Sequence, residues 1–183
     1  MEKFLLDKND VALVIVDIQE RLVPAMGAKD DVIKNCRLLI EAAKLLNFPI
    51  LLTEQYPKGL GVTIPEIRDE LPAYQPIEKS SFSCCGEPAF VNAAKALGKH
   101  KMLLTGMEAH VCVLQTALDL MLEGFEVHLV RDAVCSRSKA NWRTGVEFMR
   151  DAGAVITCTE TVLFQLLKTA GGEAFKTLSK RLK

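Results

Sequence analysis

Six consecutive apolar residues, Val11–Val16, run directly into Asp17, and this stretch limits the possible folds more than any other. It lacks polar alternation, so as a strand it has two buried faces, the condition of a central strand in a parallel sheet covered by helices on both sides. A carboxylate at its end costs free energy unless it is paired or used, and open α/β sheets bind ligands at the carboxyl ends of their strands. Asp17 therefore has two readings, a functional group or the cap of the following turn.

The rest of the chain alternates strand and helix. Residues 30–47 carry Val32, Ile33, Cys36, Leu39, Ile40, Ala43, Leu45 and Leu46 as a helical stripe ahead of Phe48-Pro49, and residues 49–53 form a second buried strand. Strand, helix, strand implies a right-handed crossover and a parallel pair. From residue 56 to 83 the periodicity fails at repeated Pro and Gly, apart from a possible helical turn at 66–71. The apolar residues Tyr56, Leu60, Ile64, Ile67, Tyr74 and Ile77 predict an ordered excursion over the sheet edge. Residues 75–79 read as a short extended piece carrying Lys79. Beyond it come a helix at 87–97, a strand at 102–104, a helix from Cys112 to Gly124 and a strand at 125–130. A polar loop at 132–138, a helix at 140–152, a strand at 154–157, a helix at 159–167 and a basic amphipathic tail at 173–183 complete the pattern. The expectation is one domain over residues 1–183, a doubly wound, mainly parallel three-layer αβα sheet of Rossmann-like form.

Charge narrows the function classes. Lys and Arg number 23 and Asp and Glu 23, so nothing draws the chain to nucleic acid or an anionic membrane. No apolar run spans a bilayer, and the charged start MEKFLLDKND has no signal-like core. Six cysteines without CxxC pairs read as reduced thiols of a cytoplasmic protein, and the three histidines lack metal-ligand spacing. No cofactor and no metal are expected.

Chemistry concentrates in residues 101–122. An apolar strand ends in Thr105-Gly106, a turn carries Met107, Glu108, Ala109 and His110, and Cys112 opens a helix whose buried face is Val113, Leu114, Ala117, Leu118, Met121 and Leu122. Unpaired N–H groups at a helix start favour a thiolate, so Cys112 reads as a nucleophile or, alternatively, as the first packing residue of that face. His110, two residues away on the same turn, points elsewhere and ranks below Lys79 as a partner. Asp17, Lys79 and Cys112 all fall on one sheet edge, three separate signals for one site.

Val14-Ile15-Val16-Asp17-Ile18-Gln19, Glu78-Lys79-Ser80-Ser81-Phe82-Ser83 and Thr105 through Val113 resemble the isochorismatase-like cysteine hydrolase superfamily, and with Thr53 through Gly61 the isochorismatase domain-containing subgroup. The resemblance implies a catalytic triad of Asp17, Lys79 and Cys112, a non-proline cis bond at Met107–Glu108, and an oxyanion hole from the N–H groups of Glu108 and Cys112. It implies hydrolysis of a small-molecule amide-type C–N bond through a thioester, and a homo-oligomer. Gln19, Gln55, Tyr56 and Phe82 are the expected pocket-lining residues. Nicotinamidases of the superfamily carry Asp-x-His after the second strand, where this chain has Glu54-Gln55-Tyr56. True isochorismatases usually have glycine at the Cys112 position, which sets vinyl-ether cleavage behind thiol chemistry. A ligand-binding or thiol redox-sensing protein that keeps the fold without turnover is the alternative from another class.

Overall fold

A computed structural model describes residues 1–182. Its strands are β1 (Val11–Val16), β2 (Ile50–Gln55), β3 (Ile77–Lys79), β4 (Lys101–Met107), β5 (Glu126–Cys135) and β6 (Val155–Thr157). The helices are α1 (Lys29–Leu46), the short α2 (Pro57–Leu60) and α3 (Pro65–Arg68), α4 (Pro88–Ala96), α5 (Cys112–Leu122), α6 (Lys139–Asp151), α7 (Thr159–Leu167) and α8 (Gly172–Leu182). All pairings are parallel, in the order β3-β2-β1-β4-β5-β6. Every residue of β1 and β4 is buried, which the unbroken apolar run predicts for β1.

Helices cover both faces of the sheet. Leu13 and Ile15 join α1, α7 and α8 in one core through Leu39, Leu163 and Leu178. Val14 and Val16 join α4, α5 and α6 in the other through Phe90, Val113 and Met149. Strand order therefore reverses between β1 and β4, and such a reversal opens a crevice at the carboxyl ends of those two strands.

Several elements differ from the sequence reading. β4 extends through Gly106 to Met107, because Gly106 adopts φ 112° and lies so close to β1 that a Cβ there would stand 2.0 Å from the Val16 carbonyl oxygen. β5 continues to Cys135 through the supposed polar loop: its register on β4 jumps from Leu104↔Leu129 to Gly106↔Val134, so Arg131 and Asp132 fall within an irregularity. Polarity signalled a loop, but the pairing resumes beyond it. The excursion after β2 contains two short helices and is pinned by Glu54, whose buried Oε1 accepts from the Thr63 N–H and hydroxyl, each at 2.7 Å, and from the Tyr74 hydroxyl. No helix is long and apolar enough to cross a membrane among the described residues. The tail helix ends at Leu182, and its expected last residue, Lys183, lies outside the described residues.

Candidate active site

Asp17 leaves β1 with φ 53° and is fully buried. The pairing Val16↔Thr53 sets β2 beside it, and the Thr53 hydroxyl donates to Asp17 Oδ1 at 2.8 Å. Lys79, the last residue of β3, reaches across β2 to place Nζ 2.7 Å from Asp17 Oδ2, with both side chains inaccessible to water. Its remaining acceptors are Gln55 Oε1 at 2.7 Å and the carbonyls of Ser81 and Phe82 at 3.2 and 3.1 Å. Four acceptors around three ammonium protons hold the charge in place, and a buried ion pair persists only with such further bonds.

Cys112 is the first residue of α5, and its thiol ionises under the influence of the Asp17 carboxylate and the Lys79 ammonium. The three side chains singled out in the sequence thus meet at the β1/β4 crevice. The resting state of the thiol differs from the expectation of a helix-stabilised thiolate. Burial and the negative Asp17 push Cys112 up to about 12, against the opposing pull of Lys79. Near neutral pH the sulfur therefore holds its proton, since desolvation and an adjacent carboxylate outweigh the end of a helix. Burial also raises Asp17 above the ordinary carboxylate value, although Lys79, Thr53 and Cys112 all favour its charged form. The pair is a thiol facing a carboxylate of enhanced basicity.

The turn joining β4 to α5 has the expected cis bond at Met107–Glu108. The Glu108 carbonyl accepts from the Val111 and Val113 N–H groups at 3.1 and 3.2 Å, while the Ala109 N–H goes to the Cys135 carbonyl at 2.8 Å. Among the described residues the N–H groups of Glu108 and Cys112 have no backbone acceptor, which leaves both available. The Glu108 carboxylate turns away to Arg137, taking its N–H at 2.9 Å and its guanidinium at 3.1 Å. His110 pairs through Nδ1 with Ser136 Oγ at 2.9 Å, on the side of the turn toward the end of β5.

Gln19 stands two residues after Asp17. It is wholly buried, and its amide is a clasp: Oε1 accepts from the Gln55 N–H at 2.8 Å, and Nε2 donates to the Gln55 and Gly61 carbonyls at 3.0 and 2.7 Å. Gln55 spends its side chain on Lys79 and on the Ser80 carbonyl. Tyr56 and Phe82 are more than half exposed, on the segments that bracket Lys79: the Tyr56 N–H donates to the Lys79 carbonyl at 2.8 Å. Thr53 carries no mark of the site in the sequence, and Cys84, beside Cys85, reads there as a packing residue rather than a redox-active one. Cys84 is fully buried, with Sγ 3.6 Å from Thr53 Oγ1. Register from the strand before Asp17 could have exposed Thr53; the local signal at Cys84 is its adjacency to Cys85, which does not point to Thr53. Among the described residues no three His, Cys, Asp or Glu side chains cluster to hold a metal ion.

The isochorismatase domain family matches residues 11–161, the stretch that contains the whole of this site. The chain belongs to that family. Isochorismatase domain-containing protein 2 of Danio rerio is 39% identical over 171 residues, 93% of this chain and 85% of its own length. Two solved structures superimpose closely. MAR1 ribonuclease from Caenorhabditis elegans has a TM-score of 0.90 at 37% identity, with 97% of this chain and 92% of that one covered. The YcaC gene product of Escherichia coli, described as an octameric hydrolase of unknown specificity, has a TM-score of 0.91 at 29% identity, covering 97% and 90%. Membership in the isochorismatase domain family places this chain among isochorismatase-like hydrolases with a Rossmann-like α/β sheet.

Proposed function

We propose that the chain is a cysteine amidohydrolase, one domain over residues 1–183, acting on a small-molecule amide-type C–N bond through Asp17, Lys79 and Cys112. The observation that carries this reading is the fully buried Lys79–Asp17 pair, 2.7 Å apart, on the same sheet edge as the Cys112 thiol at the head of α5. As sulfur attacks the substrate carbonyl carbon, the thiol proton passes to Asp17 and the carbonyl π pair moves onto oxygen. Lys79 balances the negative charge, and the N–H groups of Glu108 and Cys112 hold the oxyanion. Collapse breaks the C–N bond, the amine leaves with the proton from Asp17, and a thioester remains. Water that yields a proton to Asp17 attacks the thioester, releasing the acid, and the sulfur regains its proton. Tyr56 and Phe82 supply apolar contact for the substrate. The octameric YcaC neighbour supports a homo-oligomer, and six free thiols suit a reducing cytoplasm.

Incubating the protein with a panel of small amides and weighing it intact tests this reading. Wild type should gain an acyl mass mapped to Cys112 and release amine, and Cys112→Ala should do neither. Full amine release by Cys112→Ala would refute the nucleophile. The C. elegans neighbour raises a second reading, RNA cleavage. The balance of 23 basic and 23 acidic residues favours the small substrate, and an RNA incubation beside the amide panel decides between them.

A further inference from the structure

An apolar-floored cavity near the carboxyl edge stands apart from the thiol. It lies on the far side of the Glu108–Arg137 pair, between the start of α1, the end of β5 and the start of α6, with a volume of about 470 Å³. Val32, Val134 and Cys135 contribute its apolar lining, and none of Asp17, Lys79 and Cys112 reaches it. A space of this size accommodates a small metabolite.

Its charges are unevenly committed. Arg131, Arg137 and Lys139 line it, against Asp31 and Asp132. Asp132 Oδ1 is turned to α7, accepting from the Thr159 N–H at 2.8 Å and hydroxyl at 3.0 Å, and Arg137 is held by Glu108. Among the described residues no carboxylate pairs with Arg131 or Lys139. Trp142 stands between strand and helix as a fixed plate: its Nε1 donates to the Arg131 carbonyl at 3.3 Å, and the Arg131 guanidinium lies 5.9 Å from the ring centroid. An indole wall, an apolar floor and two cations without carboxylate partners, set against the single unpaired carboxylate of Asp31, favour a flat anion over a neutral or cationic ligand.

We infer that this cavity is a second binding site, taking a small planar carboxylate whose apolar body lies against Trp142 and whose charge sits between Arg131 and Lys139. The site is independent of the hydrolytic reading. It also carries its own reporter, because Trp142 is the single tryptophan of the chain. Titrating the full chain with benzoate, excited on the red edge of the indole band, should give a saturable change in emission below about 10 mM, and isosteric, uncharged benzamide should not. Arg131→Gln with Lys139→Gln should weaken benzoate about tenfold or more while leaving the fold, read by circular dichroism, unchanged. Cys112→Ala should bind as wild type. Absence of a saturable change, equal responses to benzoate and benzamide, unchanged affinity in the double variant, or loss of binding in Cys112→Ala would each overturn the inference.

Discussion

At the residue scale the decisive contact is the Thr53 hydroxyl on Asp17 Oδ1. It helps hold the charged carboxylate against a burial that raises its pKa. Thr53→Val keeps the volume and removes the donor, so Asp17 should need a higher pH to ionise. In the proposed mechanism an ionised Asp17 accepts the thiol proton, so the acid limb of the rate of Cys112 acylation or alkylation should move to higher pH. The rate below that limb should fall by about 10- to 100-fold, the worth of a hydrogen bond to a charged group. Thr53→Ser should restore it. An unmoved limb in Thr53→Val would leave Thr53 as packing alone.

Among the elements, β5 carries an unusual burden. His128 is buried between Leu103 of β4 and Val155 of β6, and among the described residues neither ring nitrogen has a hydrogen-bond partner. Burial lowers its pKa, so the folded protein resists the proton that the unfolded chain accepts near pH 6.5. The sign follows: stability is whole above that pH and declines as pH falls below it. His128→Leu should narrow the difference in melting temperature between pH 7.5 and pH 5, measured by calorimetry. An equal difference in both proteins would place the acid sensitivity elsewhere. β5 also shows where sequence legibility ended. Its apolar start was readable, but Arg131 and Asp132 looked like a loop because the register jump that accommodates them depends on β4.

For the whole molecule, α5 and α6 pack side by side on one face and leave Leu122 85% and Phe148 53% exposed. The formal net charge is zero, so no long-range repulsion opposes association, and a structural neighbour is octameric. Light scattering should give a mass that is a multiple of the monomer, and Leu122→Asp with Phe148→Asp should lower it. A wild-type monomer at high concentration would dismiss the oligomer. How much of the site was legible follows from the same topology. Asp17, Lys79 and Cys112 each end a strand or begin a helix, positions that hydrophobic patterning locates. Parallel strands then bring such ends to one edge. The Gln19 clasp, the Glu108–Arg137 pair and the Cys84 thiol join residues 36, 29 and 31 positions from their partners, and no local pattern encodes those meetings. The sequence by itself determined the layered parallel sheet and set Asp17, Lys79 and Cys112 along one of its edges, because apolar periodicity and strand ends are local properties. Only the tertiary structure decided that Cys112 rests as a thiol, because its protonation depends on how deeply the fold buries it and on the carboxylate placed against it.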